Sequence, residues 1–356
     1  MPSPITPNAI KPGDTISFIS PSLRLNDVMP DVMTRATALL TSRGYRVKTF
    51  FKGDEDGTGS AAVHRLSELR DAFSDPETSA IICTIGGTTF TELLPALIAD
   101  TELHAVIRAN PKIVIGYSDI TGLHWFLHSL TGLRTFYGPG AIPELGEASA
   151  LDDEASPAAF CARELLRIVS SSQPIGKISR SLEYAAEGAP FWKNHSSTER
   201  QKLEPTRPWR WIRGGKGQGR LFGGCLTVMV RLMGIKELVP DWKGKIAFIE
   251  SAAGDNDDIG PLPLRVRAAF ADLRAHGAFN DLKGLVVGRP YGYDTEERIQ
   301  LYAGIVKEIV GAVGDFPILM DVDFGHTTPM VTLPYDVEAV LDSEKDLFEV
   351  FEGAVQ

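Results

Sequence analysis

Apolar and polar positions alternate in a repeating way along the first third of the chain. Short β-branched or apolar runs at 15–19, 46–50 and 80–84 read as strands, and the stretches between them, 31–43 and 61–73, carry apolar residues at helical spacing. Gly44 stands where a glycine closes the first helix, and Asp75-Pro76 marks the turn after the second. A further strand follows at Ile113-Val114-Ile115, after which Leu123, Phe126, Leu127 and Leu130 recur at helical spacing. Strands alternating with helices predict an α/β fold around a parallel sheet with helices on both faces. Catalytic groups in such sheets gather beyond the carboxyl ends of the strands. Two segments lie at such ends, Ile85-Gly86-Gly87-Thr88-Thr89 and Gly116-Tyr117-Ser118-Asp119.

Between Pro139 and Arg213 the periodicity fades, apart from a helix predicted at 157–170. Polar residues and prolines take over, together with Trp192, Trp209 and Trp211. A connection this long serves as a lid over a cleft or as a packed interface, and large aromatics suit either. From Gly214 the pattern becomes glycine-rich turns and short strands at 245–250, 284–288 and 337–341, with helices at 263–276 and 296–310. The chain thus divides into a parallel-sheet domain over 1–150, a connecting segment over 151–213, and a smaller domain of mixed strands and helices over 214–356.

Ser118 sits at a junction between a buried strand and a helix start. Such a corner lifts a hydroxyl out of the sheet and leaves the backbone N–H of Asp119 facing any oxyanion formed there, as in a nucleophile elbow. Ile120 stands where the second glycine of G-x-S-x-G belongs, and a serine at this point can instead cap the helix and do no chemistry. Gly86-Gly87 offers N–H groups unobstructed by a Cβ, so Gly87 and Asp119 could together form an oxyanion hole.

A serine nucleophile needs a base, and the base needs an acid to orient it. Of seven histidines, His64 and His104 fall on polar stretches of predicted helices. His124 and His128 are four apart but lack the Glu of an H-E-x-x-H zinc site, which favours a structural role. His326 lies in the irregular loop Asp323-Phe324-Gly325-His326-Thr327-Thr328-Pro329, from which it can project into a cleft. Glu250 ends the strand at 245–250, and a carboxylate there is paired, functional or solvated. Asp255-Asn256-Asp257-Asp258-Ile259-Gly260 begins like a calcium loop, but Ile259 replaces an oxygen ligand and Val266 the bidentate Glu. Gly214-Gly215-Lys216-Gly217-Gln218-Gly219 fits neither common phosphate loop. No metal and no cofactor are therefore expected.

Composition narrows the partners. A net charge of −10 and a pI near 5.3 argue against a nucleic-acid surface and leave small molecules or peptides. No apolar stretch is long enough to span a bilayer, so no membrane is expected as a partner. Met1-Pro2-Ser3-Pro4 lacks the basic region and apolar core of a signal peptide, so a cytoplasmic location is expected. Cys83, Cys161 and Cys225 are too scattered for a disulfide framework and read as buried thiols.

Six short blocks occur in order: Ile85-Gly86-Gly87, Gly116-Tyr117-Ser118-Asp119-Ile120-Thr121, Gly219-Arg220-Leu221-Phe222-Gly223-Gly224, Phe248-Ile249-Glu250, Gly284-Leu285-Val286-Val287-Gly288, and Phe324-Gly325-His326-Thr327-Thr328-Pro329. Together they resemble the LD-carboxypeptidase family of serine peptidases, which includes the microcin C immunity hydrolases. The resemblance runs nearly end to end. It implies a Rossmann-like amino-terminal domain, a carboxy-terminal domain built around a β-barrel, and a homodimer. It also implies Ser118 as nucleophile, Glu250 as acid and His326 as base, with oxyanion donors at Gly87 and Asp119 and substrate contacts from Gly86, Thr88, Trp192 and Ser251.

Murein enzymes of this family release the terminal D-alanine of a tetrapeptide, whereas the immunity branch cleaves the amide joining an aminoacyl group to a nucleotide-like moiety. The Trp-bearing connection resembles the immunity branch, in which an aromatic stacks on the nucleobase, and Trp192 is the nearest candidate. Hydrolysis of a small aminoacyl-nucleotide is therefore the expected function. The alternatives are murein LD-carboxypeptidase activity and an inactive two-domain ligand-binding protein. Two residues depart from the family pattern: Cys225 stands for a usual Asn, and Asp336 for a usual Gly.

Overall fold

The computed structural model describes residues 2–52, 61–148, 151, 153–252 and 260–356, so the calcium-like stretch at 255–259 lies outside the described residues. The first part runs β1 (Thr15–Ile19), α1 (Pro30–Ser42), β2 (Arg46–Thr49), α2 (Ala61–Ser74), β3 (Thr78–Cys83), α3 (Leu94–Ala99), α4 (Thr101–Ala109), β4 (Ile113–Gly116), α5 (Thr121–Phe126) and β5 (Phe136–Tyr137). Its strands pair in parallel in the order β5-β4-β3-β1-β2. β1 and β4 are buried at every position, which is why they read as unbroken apolar runs rather than alternating ones. Pro30 opens α1, and the Asp100 carboxylate caps α4 by accepting the Leu103 N–H at 3.0 Å.

The second part continues with α6 (Pro157–Val169), β6 (Gly176–Lys177), β7 (Glu183–Tyr184), β8 (Glu204–Pro205), β9 (Arg210–Arg213), β10 (Lys216–Cys225), α7 (Leu226–Leu232), β11 (Lys245–Glu250), α8 (Pro263–Ala275), β12 (Gly284–Gly288), α9 (Glu296–Ile309), β13 (Ile318–Val322), β14 (Leu333–Pro334), β15 (Glu338–Asp342) and β16 (Leu347–Val350). Eight of these strands form a mixed sheet in the order β6-β16-β15-β10-β11-β12-β13-β9. At its centre β10 to β13 pair in parallel, flanked by antiparallel neighbours. The architecture is α/β, with a parallel-sheet amino-terminal region and a second sheet domain.

Both edge strands of the second sheet, β6 and β9, come from the polar connection that precedes it. Trp209 accounts for part of that: its indole is buried, donates to Asp323 at 3.1 Å, and carries the Arg180 guanidinium 4.2 Å above the ring. The two sheets also interlock. β14 pairs antiparallel with β5 and completes the first sheet from the carboxy-terminal side. The Trp125 indole and the Tyr335 hydroxyl both donate to the Gly223 carbonyl, at 2.9 and 3.0 Å. No described helix is long and apolar enough to cross a membrane.

Candidate active site

β4 ends at Gly116, Tyr117 is extended, and the chain then turns sharply through Ser118 at φ 63° into a short helical turn that leads into α5. A left-handed serine is held against its own preference, the backbone signature of a nucleophile elbow. Among the described residues the Ser118 hydroxyl accepts no helix N–H, so the helix-cap alternative finds no support. Its backbone is fixed instead: the N–H donates to the Tyr137 hydroxyl at 3.0 Å and the C=O accepts the Thr121 hydroxyl at 2.7 Å. Gly86 lies against this corner so closely that a Cβ there would stand 2.6 Å from Ser118 Cβ and 3.0 Å from its Oγ.

Glu250 ends β11 with its side chain fully buried. One carboxylate oxygen accepts His326 Nδ1–H at 2.7 Å and the His326 backbone N–H at 3.3 Å, while the other accepts the Tyr137 hydroxyl. Burial alone would raise this carboxyl's pKa, but the facing imidazole and the hydrogen bonds outweigh it and hold the pKa below its ordinary value. His326 shows the mirror effect: burial favours the neutral ring, yet Glu250 prevails and raises the pKa. With Nδ1 committed to Glu250, Nε2 has no protein partner among the described residues. Gly325, at φ 87°, makes this approach possible, since a Cβ there would come within 2.7 Å of Glu250 Cδ.

Ser118 and His326 line one cavity of about 1290 Å³, together with Gly86, Gly87, Thr88 and Trp192. Among the described residues, neither the Gly87 N–H nor the Asp119 N–H donates to a protein acceptor, as an oxyanion hole requires. Trp192 is 38% exposed, whereas its neighbour Phe191 is buried. Ser251 does not join this group: it is buried, its hydroxyl lies 2.6 Å from that of Tyr302, and it does not line the cavity. His124 is structural, with Nδ1 2.8 Å from the Thr135 hydroxyl and Nε2 2.9 Å from the Gly116 carbonyl, and burial pushes its pKa down to about 4.

Three elements around the candidate site escaped the sequence reading. Tyr137 joins Ser118 to Glu250, yet in sequence it is one aromatic in a two-residue strand. Glu144 lines the cavity and accepts the Tyr117 hydroxyl at 2.7 Å and the Gly140 N–H at 3.0 Å, and the Tyr117 ring stands edge-on to His326 at 5.0 Å. The Asp119 side chain is a buried acceptor for partners far away in sequence. Only the cost of burying a carboxylate could have flagged the two acids beforehand.

The profile of the LD-carboxypeptidase N-terminal domain matches residues 16–138, and that of the LD-carboxypeptidase C-terminal domain matches residues 218–341. The chain belongs to the LD-carboxypeptidase family. It is a serine hydrolase. Escherichia coli microcin C7 self-immunity protein MccF is 28% identical over 348 residues, which cover 96% of this chain and 94% of that protein. A Bacillus subtilis (strain 168) protein named "Probable murein peptide carboxypeptidase" is 27% identical over 95% of this chain and 91% of its own length. The structure of MccF in complex with glutamyl sulfamoyl guanosine matches 99% of this chain and 100% of that chain, at a TM-score of 0.85 and 25% identity. MccF in complex with aspartyl sulfamoyl adenosine matches with a TM-score of 0.83, 25% identity and the same coverage.

Both departures from the family pattern have a physical context. Asp336 adopts φ 56°, the left-handed conformation that suits the usual glycine and that Asp tolerates better than most residues. Cys225 lies in register opposite Glu250, and its backbone N–H donates to Thr121 Oγ1 at 3.0 Å. Burial pushes its thiol pKa up, so it stays protonated beside the site.

Proposed function

We propose that this enzyme hydrolyses the amide bond of a small aminoacyl-nucleotide, with Ser118 as nucleophile, His326 as general base, Glu250 as its orienting acid, and the Gly87 and Asp119 N–H groups as oxyanion donors. The observation that carries this reading is the shared cavity wall of a left-handed Ser118 and a His326 whose Nδ1 is held by buried Glu250. His326 Nε2 takes the proton as Ser118 Oγ bonds to the substrate carbonyl carbon. The oxygen of the tetrahedral intermediate turns to the two free N–H groups, the C–N bond breaks, and Nε2 returns the proton to the leaving nitrogen. Water, activated by the same imidazole, then releases the acyl group and frees the serine. The chemistry needs no cofactor.

Support for the substrate class comes from size and lining. The cavity, about 1290 Å³, exceeds the roughly 300–1,000 Å³ of most small-molecule sites, leaving room for an aminoacyl group and a nucleoside. Trp192 offers a face for a base, with Gly86 and Thr88 beside the reacting centre. A homodimer belongs to the same reading and rests on family resemblance alone. Mass spectrometry of purified enzyme with glutamyl sulfamoyl adenosine and with murein tetrapeptide tests it. The expected result is cleavage of the first, abolished in Ser118→Ala. Release of D-alanine from the tetrapeptide alone would assign the murein branch instead, and tight binding without turnover of either would make the chain a binding protein.

A further inference from the structure

The two N–H groups of the oxyanion hole belong to separate segments, the elbow at Asp119 and the loop at Gly87. We propose that the ion pair between the Asp119 carboxylate and Arg231 is the positioning device that sets one donor against the other; this rests on the reading of Ser118 as nucleophile.

Asp119 is fully buried, and its carboxylate bonds three separate segments beside the hole. Oδ2 accepts the Ser22 hydroxyl at 2.6 Å and the Phe90 N–H at 2.8 Å, and Oδ1 accepts Arg231 Nη2 at 2.8 Å. Arg231, on α7 of the second domain, also donates through Nη1 to the Thr88 carbonyl at 3.3 Å. On the other side the Leu23 N–H donates to the Gly86 carbonyl at 3.0 Å. The loop is therefore pinned at Gly86, Thr88 and Phe90, with Gly87 between the pins. Gly87 has no slack: at φ 138°, a Cβ there would come 2.8 Å from Ser22 Oγ, the same hydroxyl that Asp119 holds.

Oxyanion donors work because they are fixed before charge develops, and a misplacement of about 1 Å costs on the order of 100-fold in rate. Arg231 is itself 37% exposed, but the carboxylate it meets is fully buried, so removing the guanidinium strips a buried charge of this partner, a cost that thermal unfolding reads separately from kcat. Its side chain donates to a carboxylate and to a carbonyl in two different segments of the first domain. That placement suits an organiser of the hole.

Arg231→Met, Arg231→Lys and Asp119→Asn, compared with wild type and Ser118→Ala, test the proposal. The readouts are kcat, KM, the pH profile, thermal unfolding, and affinity for phenylboronic acid, which forms a tetrahedral adduct on a reactive serine. For Arg231→Met and Asp119→Asn the expected result is a kcat lower by about 10–100-fold, with KM and the pH profile unmoved and boronate affinity falling in step. Arg231→Lys should restore part of the loss. Arg231→Met with wild-type kcat, or a loss expressed only in KM or in a shifted pH profile, would overturn the positioning role while an inactive Ser118→Ala upholds the triad. Turnover retained in Ser118→Ala would instead overturn the reading on which it rests.

Discussion

The hydroxyl of Tyr137 donates to Glu250, and the same oxygen accepts the backbone N–H of Ser118 at 3.0 Å. One buried atom thus ties the elbow at the end of the first sheet to the acid at the end of β11 in the second. Tyr137→Phe keeps the ring but leaves a part-buried N–H and a buried carboxylate oxygen without this partner, the latter at a cost of about 1–3 kcal/mol. The variant should unfold at lower temperature and lose activity as the elbow relaxes. Thermal denaturation alongside kcat checks this, and unchanged values for both would remove Tyr137 from the site.

Glu250 and His326 each favour the other's charged form, and this sets the pH dependence. The base must be neutral to accept the serine proton, and its pKa lies above its ordinary value of 6.5. The acidic limb of kcat/KM should therefore fall above pH 6.5, with activity rising as pH increases through it. Glu250→Gln removes the negative partner, so the limb should move to lower pH while the rate drops by about 10³–10⁴-fold. A rate profile of both proteins across pH 5–9 checks the sign; a limb that moves upward contradicts the pairing.

The amino-terminal fold was legible because β1, β3 and β4 are buried parallel strands whose apolar runs survive without context. Ser118, Gly87 and Glu250 stood out in sequence because each sits at or just beyond a strand end, and His326 because it lies in an irregular loop; the structure puts Ser118, Gly87 and His326 on one cavity, with Glu250 bound to His326. β6 and β9 were not legible, since edge strands of two and four residues in a polar connection gain their stability from β16 and β13, far away in sequence. The placement of Ser251 away from the cavity wall was not legible for a related reason. A hydroxyl next to the acid invites a role in binding, and nothing local reveals that Tyr302, on α9, claims it. The Asp119 carboxylate was hidden likewise, because its partners Ser22, Phe90 and Arg231 meet only in three dimensions.

Glu144 carries a second pH signature, in stability. Burial pushes its carboxyl up from 4.5 to about 7, despite the opposing hydrogen bonds from Tyr117 and Gly140. Between those values the native state binds a proton that the unfolded chain has released. Stability from this group is therefore full below the unfolded pKa and is lost as pH rises through the native one. Glu144→Gln cannot ionise, so its melting temperature should fall less than the wild type's between pH 5 and pH 8. Parallel slopes for the two proteins would show that Glu144 does not titrate in this window.

Gly86 separates a steric role from a conformational one, because its φ is not in the left-handed region and only space forbids a side chain. In Gly86→Ala the new Cβ would lie 2.6 Å from Ser118 Cβ and 3.1 Å from the Asp119 nitrogen, so the nucleophile and an oxyanion donor must both give way. Displacing them by about 1 Å should cost on the order of 100-fold in kcat. Gly234 is the matched control: a Cβ there meets nothing within 4 Å, and its φ is likewise outside the left-handed region, so Gly234→Ala should keep wild-type turnover. Steady-state kinetics on the two variants decide the matter. Equal activities would mean that the elbow has room to move, and that the closeness of Gly86 to Ser118 does not set the geometry of attack.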